Sequence, residues 1–218
     1  MAFIFDLNGT MINDMDYHVK AWHRIFNGLG ANISLERMKE ECYGKNFEVI
    51  ERVMPGKFSE KEKERMSYSK EEEYQREFRP FLRLLPGLDE FLIKAKQANI
   101  PMAIGSAAIT FNVDYVLDGL NIRDYFSVIV SADDVTKSKP DPETFLKCAM
   151  QLGVPASDCI VFEDAPKGVE ATLNAGMKCV VITLLHESYE FSRYPNVIKF
   201  AKDFKELVPE ELENANRQ

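Results

Sequence analysis

Short apolar runs alternate with amphipathic stretches along most of this chain, and they predict strands and helices in turn. Ala2 to Leu7 is brief, rich in Phe and stopped by Asn8-Gly9, the pattern of a buried strand ending in a turn. Beyond Leu85-Pro86-Gly87 the spacing predicts a helix over 88–98, a strand over 101–105 and a helix over about 111–120. A strand over 127–131, a helix over about 142–152, a strand over 159–162, a helix over 167–175 and a strand over 179–183 follow. Strands alternating with helices imply a parallel sheet covered on both faces.

Residues 14–82 read differently. Trp22, Ile25, Phe26 and Leu29 recur at helical spacing, Gly28 and Gly30 loosen the end, and Ser34 can cap the next helix. From Lys57 to Phe78 the chain is dense in Lys and Glu at i,i+4 spacing, which reads as a solvated helix face. No strand pattern interrupts this stretch. The expected architecture is α/β: a doubly wound, parallel-sheet core of residues 1–13 and 83–218, with residues 14–82 inserted after the first strand as a helical cap. The connections near 11–15 and 79–86 suit a hinge that lets the cap close over a ligand.

Composition narrows the partners. A formal net charge of −8 argues against nucleic acid or an anionic membrane, both of which need a basic face. Cys42, Cys148, Cys159 and Cys179 show no CxxC spacing and read as free thiols in a reducing compartment. An acidic residue already at position 6 leaves no room for an apolar leader, and no apolar run approaches the ~18 residues of a membrane span. A cytosolic monomer acting on a small molecule is expected.

In open parallel α/β sheets, ligands bind beyond the carboxyl ends of the strands. Asp6 follows Phe3-Ile4-Phe5, Ser106 follows Met102 to Gly105, and Glu163-Asp164 follow Ile160-Val161-Phe162, while Lys139 lies in the loop after 127–131. A single acid at a strand end could be a helix cap. Acids at two ends, with a hydroxyl and a Lys at two others, go beyond capping. The set suits metal-assisted attack on phosphorus: carboxylates hold Mg²⁺, whose charge lets an anionic nucleophile approach phosphate, and Lys139 with Ser106 can hold the nonbridging oxygens.

These residues also carry a resemblance. Asp6-Leu7-Asn8-Gly9-Thr10 resembles the DxDGT signature of the haloacid dehalogenase superfamily, Ser106 its second motif, Lys139-Pro140-Asp141-Pro142 its third and Glu163-Asp164 its fourth. The similarity runs from about residue 2 to 185, and the subgroup it points to is that of β-phosphoglucomutase-like phosphatases and mutases. It implies Asp6 as nucleophile and metal ligand, with the backbone carbonyl of Asn8, Asp164 and Glu163 completing an Mg²⁺ site. It implies Ser106, the Ala107 backbone and Lys139 as the phosphate holders. His18 and Trp22 fall where the subgroup carries a cap-side His and Trp, and Gly44-Lys45 resembles its substrate loop. From the residues alone, His18 could equally be a packing residue and Lys45 a solvated one.

Two departures bear on function. The family's acid/base Asp is Asn8 here, and an amide has no proton to exchange near neutral pH. Three readings stay open: a natural enzyme with acidic leaving groups or another donor such as His18, an engineered Asp→Asn change, or a binder without turnover. Moreover Ala107-Ala108-Ile109-Thr110 lacks the second cation found beside this loop in sugar-phosphate mutases, and 44–48 offers one cation and no nearby Arg. Fewer cations favour a phosphatase over an isomerase of the phosphosugar mutase type.

Overall fold

Uninterrupted apolar strands are stable where both faces are covered, and Ala2–Phe5 (β1) sits in the middle of a sheet. The structure, a computed structural model, describes residues 1–216. After β1 come α1 (Met15–Gly28), α2 (Leu35–Glu41), α3 (Asn46–Val53) and α4 (Glu60–Phe78). The chain continues through α5 (Leu88–Gln97), β2 (Met102–Gly105), α6 (Thr110–Gly119), β3 (Val128–Val130) and α7 (Glu143–Leu152). It ends with β4 (Cys159–Glu163), α8 (Pro166–Asn174), β5 (Lys178–Ile182), β6 (Val197–Ala201) and α9 (Pro209–Asn216). Two compact units result, one of residues 1–13 with 83–218 and the other of 14–82.

The first unit is the α/β core, a six-stranded sheet of order β3-β2-β1-β4-β5-β6 in which every neighbouring pair is parallel. Side chains alternate along β1, so Ala2 and Ile4 join Ala103, Val161, Phe145 and Cys148 on one face. Phe3 and Phe5 point to the other, where they meet Phe91, Phe162 and Phe204. Phe5 and Phe162 are register partners across β1 and β4, and their rings stack with centroids 4.5 Å apart. The stacking holds these two strand ends in fixed register, and the polar residues that follow them inherit that precision.

Residues 14–82 form four helices around Val19, Trp22, Phe26, Met38, Val49, Ile50 and Met54. Ser34 accepts from Arg37 N at 3.1 Å and caps α2 as its sequence predicts. The solvated reading of 57–78 needs correction. One stripe of α4 is buried, and it includes Lys70 and Glu71, which pair at 2.9 Å. Two charges are tolerated inside because each supplies the other's partner, a compensation that charge density alone does not reveal. All four cysteines are free, and among the described residues no helix is long and apolar enough to cross a membrane.

Candidate active site

The turn after β1 sets the geometry of the site. Asp6 N donates to Phe162 O at 3.0 Å, anchoring the strand end, and Met11 N reaches back to Leu7 O at 2.9 Å. Gly9 adopts φ +83°, and a Cβ there would lie 2.2 Å from Asp164 Oδ2, so both backbone and space demand glycine. This tight turn brings the Thr10 hydroxyl 3.2 Å from Asp6 Oδ2 and 3.1 Å from Asp164 Oδ1. Its one hydrogen serves either carboxylate and keeps the pair side by side.

Lys139 closes the cluster. Its Nζ lies 2.6 Å from Asp6 Oδ1 and 2.8 Å from Glu163 Oε1, with the Phe145 ring beneath it at 4.5 Å. Glu163 is fixed from behind: its Oε2 accepts from Asp164 N at 2.8 Å and Ala165 N at 2.9 Å. A Cβ at Gly168, in the first turn of α8, would fall 1.7 Å from Glu163 Oε1. That glycine makes room for the carboxylate. Asp6, Lys139, Glu163 and Asp164 are all nine-tenths buried or more.

The electrostatics follow from that burial. Desolvation pushes the Asp6 carboxyl up to about 7, opposed by Lys139 and reinforced by Glu163. Asp164 is driven well above the usual carboxylate range by burial, then by Glu163 and Asp6. Burial works against the Lys139 ammonium, yet Asp6 and Glu163 outweigh it and hold the ammonium charged. Oxygens of Asp6, Glu163 and Asp164 lie within 4.8 Å of one another. With all three carboxylates ionised against one ammonium, the cluster carries two uncompensated negative charges. Its hard oxygen donors fit a divalent cation.

Ser106 follows β2 and is buried; its N donates to Val130 O at 2.9 Å and its Oγ accepts from Ala108 N at 3.1 Å, which leaves its O–H to donate elsewhere. Ala107 beside it is half-buried. Asn8 is half-buried too, and its backbone bridges to Ile12.

The remaining predicted residues lie in the helical unit. His18 Nδ1 sits 2.6 Å from Lys70 Nζ and its Nε2 3.1 Å from Asp14 Oδ2, while its ring stacks on Tyr74 at 3.8 Å. An ammonium can only donate, so Nδ1 accepts and Nε2 carries the proton to Asp14. Tyr74 Oη donates to the same Asp14 oxygen at 2.6 Å. Trp22 stacks on Phe26 at 5.0 Å inside the helical core. Gly44 has φ +78°, and Lys45 N donates to Glu48 Oε2 at 3.1 Å. An Arg does lie at this loop, contrary to the local sequence: the Arg52 guanidinium covers the Tyr43 ring at 3.7 Å and donates to Glu41 O at 2.7 Å.

Thr10, Gly168, Asp14, Lys70, Glu71 and Tyr74 had no assigned role in the sequence reading. Thr10 carried a local signal, four residues after Asp6 across a Gly turn. Gly168 and the Asp14–His18–Lys70 chain carried none, because their partners are distant in sequence.

A parallel α/β sheet with a carboxylate–ammonium cluster at its strand ends defines a class of enzyme-like folds, and the comparisons narrow it. A model of the haloacid dehalogenase-like hydrolases matches residues 3–182. Fructose-1-phosphate phosphatase of Escherichia coli is 30% identical over 184 residues, covering 84% of this chain and 97% of its own length. β-Phosphoglucomutase of Bacillus subtilis is 34% identical over 188 residues, 82% of this chain and 81% of the relative. Among solved structures, a family IA, variant 3 haloacid dehalogenase hydrolase from Entamoeba histolytica superposes with a TM-score of 0.89 at 26% identity, covering 100% and 99% of the two chains. β-Phosphoglucomutase from Clostridium difficile gives 0.85 at 28% identity, covering 99% and 96%. The chain belongs to the haloacid dehalogenase-like hydrolase family.

Proposed function

We propose that this protein is an Mg²⁺-dependent phosphatase of a small phosphorylated metabolite, with Asp6 as nucleophile. As a family member it is a phosphoryl-transfer enzyme, and phosphatases predominate among the named relatives. The observation that carries the reading is Lys139 bound to both Asp6 and Glu163, opposite Asp164, in a buried cluster short of positive charge. With its net charge of −8 the chain is proposed to act in the cytosol, as a monomer, without nucleic acid or membrane partners.

In this reading Asp6, Asp164 and the carbonyl of residue 8, with Glu163 behind them, would hold Mg²⁺, and the ion would supply the positive charge that lets a carboxylate meet a phosphate. Asp6 attacks phosphorus, the bond to the leaving oxygen breaks, and the phosphoryl group rests on the Asp6 carboxylate. Water then attacks that phosphorus, releasing inorganic phosphate and restoring Asp6. Ser106, the Ala107 N–H and Lys139 hold the phosphate oxygens through both steps. Asn8 keeps the shape of an acid/base residue but donates no exchangeable proton, so departure of a poor leaving group is slow. His18 has both ring nitrogens engaged by Asp14 and Lys70 and serves as a hub of the helical unit. Gly44 and Lys45, in a loop shaped by Arg52, are proposed to meet the substrate's non-reacting part, and Trp22 supports them from the helical core.

Phosphate release from a panel of phosphoesters, with Mg²⁺ and with chelator, tests this. The proposal expects Mg²⁺-dependent release that Asp6→Asn abolishes. Release unaffected by chelator, or retained in that variant, contradicts it. Asn8 favours one second reading, a phosphometabolite-binding protein without turnover, which predicts binding and no release. A mutase would instead show isomerisation of a sugar phosphate primed by a bisphosphate.

A further inference from the structure

We propose that the buried Glu71 positions the loop of Gly44 and Lys45 through Asn46, and that protonation of His18 loosens this hold. The inference rests on the reading that this loop meets the substrate, and adds to it a positioning residue that answers to pH.

Buried charges need partners, and α4 buries two side by side. Lys70 and Glu71 are only 3% and 1% exposed. Glu71 Oε1 accepts twice, from Lys70 Nζ at 2.9 Å and from Asn46 Nδ2 at 3.0 Å. Asn46 opens α3 and follows Lys45 directly, so its side chain ties the end of the loop to the interior of the helical unit. Burial works against the Glu71 charge, yet Lys70, His18 and Asn46 outweigh it and draw its pKa down. Glu71 therefore stays ionised, and a carboxylate accepts more strongly than a neutral oxygen.

The second oxygen of Glu71 is unused. Oε2 is buried without a hydrogen-bond partner, and His18 Nδ1 lies 3.8 Å from it. With His18 neutral, Nδ1 accepts from Lys70 Nζ at 2.6 Å. Protonation puts a hydrogen on Nδ1, which then cannot face an ammonium, and Glu71 Oε2 is placed to accept it. Nε2 keeps its bond to Asp14, which also accepts from Tyr74 Oη. Cys42, close to the same charges, has its thiol pushed up to about 11 by burial and stays neutral. Asp14 and Glu71 against Lys70 leave one buried negative charge, and a protonated His18 balances it. As the carboxylate turns to meet the Nδ1 hydrogen, Oε1 leaves Asn46. Histidine is the side chain that changes charge between about pH 5 and 8, so the hold on the loop weakens as pH falls.

The test compares wild type, Asn46→Ala and Glu71→Gln, each checked by thermal melting. NMR of the full chain follows the His18 ring and the Asn46 side-chain amide from about pH 8 to about pH 5. In wild type the Asn46 amide should move with the same midpoint as His18. Glu71→Gln keeps an oxygen for Asn46 but has no charge for a protonated His18 to draw, so the Asn46 amide should lose most of that response. Release of inorganic phosphate from fructose 1-phosphate with Mg²⁺ gives a second reading. With one hydrogen bond lost at the loop, Asn46→Ala should raise KM about two- to ten-fold at about pH 8 with kcat little changed. Its gap to wild type should close at about pH 5.5, whereas a merely structural role leaves the gap constant. A His18 that does not titrate in this range, one that titrates without moving Asn46, an equal response in Glu71→Gln, or a constant KM gap overturns the inference and leaves the phosphatase reading standing. If fructose 1-phosphate is not hydrolysed, the NMR result alone decides the link, and the phosphatase reading is judged by its own panel of esters.

Discussion

Lys139 Nζ lies 2.6 Å from Asp6 Oδ1, although 133 residues separate them in the chain. The pair joins the end of β1 to the loop after β3, and Glu163 at the end of β4 takes the second bond from the same ammonium. Burial raises the cost of each charge and strengthens every attraction between them. Crowding three buried carboxylates around one ammonium comes at some expense of stability.

The first prediction concerns that expense. An acid whose pKa is raised from 3.8 to about 7 on folding binds more protons folded than unfolded between those values. The metal-free protein should therefore lose stability as pH rises from about 4 to about 7. Asp6→Asn should lessen that slope, with Asp164 supplying the remainder, and raise the melting temperature in chelator near neutral pH, while abolishing turnover. Melting curves across this pH range check it. A variant that melts lower than the parent at every pH would contradict the electrostatic account.

A second prediction addresses the loop that delivers Lys139. Glu143 accepts from Thr136 N, Lys137 N and the Thr136 hydroxyl at 2.7–3.1 Å, and those bonds draw its pKa down to about 2. Its stabilising effect is present above its ordinary value of 4.5 and is lost as pH falls toward about 2. An NMR titration should place the midpoint there. Glu143→Ala should loosen residues 136–139 and lower kcat by up to about 10²-fold, with Mg²⁺ affinity retained. An unchanged kcat would show that the clip does not position Lys139.

The metal site gives a third. Asp164→Ala should weaken Mg²⁺ binding strongly in calorimetry, because it removes one of the three clustered carboxylates. Unaltered affinity would misplace the site. The fold should survive, since loss of a buried, upshifted carboxylate relieves repulsion with Glu163 and Asp6.

Much of this was legible before the fold was seen, for physical reasons. Phe3-Ile4-Phe5 and Ile160-Val161-Phe162 are buried on both faces, so unbroken apolar runs betray them, and the polar residue after each run marks a strand end. Edge strand β6 was missed because Val197-Ile198-Lys199-Phe200-Ala201 is half-exposed and mixes Lys into its run. Helix α9 lies beyond the last predicted element and begins at a Pro. Within the site, Asp6, Lys139, Glu163 and Asp164 were visible as residue types at strand ends. The bridging of Thr10 and the clearance at Gly168 were not, because each is defined by an atom across the fold. Lys70 and Glu71 were misread as solvated for the same reason.

Position 8 carries the fourth prediction. Asn8→Asp restores a group able to protonate a departing alkoxide, so kcat on alkyl phosphates should rise, by up to about 10²–10⁴-fold. Aryl and acyl phosphates need little protonation and should gain less. Equal kcat for parent and variant on every ester would show that position 8 does not limit turnover.

The central claim is that phosphate passes through Asp6. Acetyl phosphate has a leaving group that needs no protonation, whereas the amide of Asn8 cannot take a proton from the attacking water, so the covalent intermediate should accumulate. The protein is mixed with acetyl phosphate and Mg²⁺, quenched in acid and examined by peptide mass spectrometry. The account predicts one added phosphoryl group on the peptide carrying Asp6, lost when Mg²⁺ is withheld and in Asp6→Asn. No added phosphoryl at any time, or one on a different residue, would contradict it.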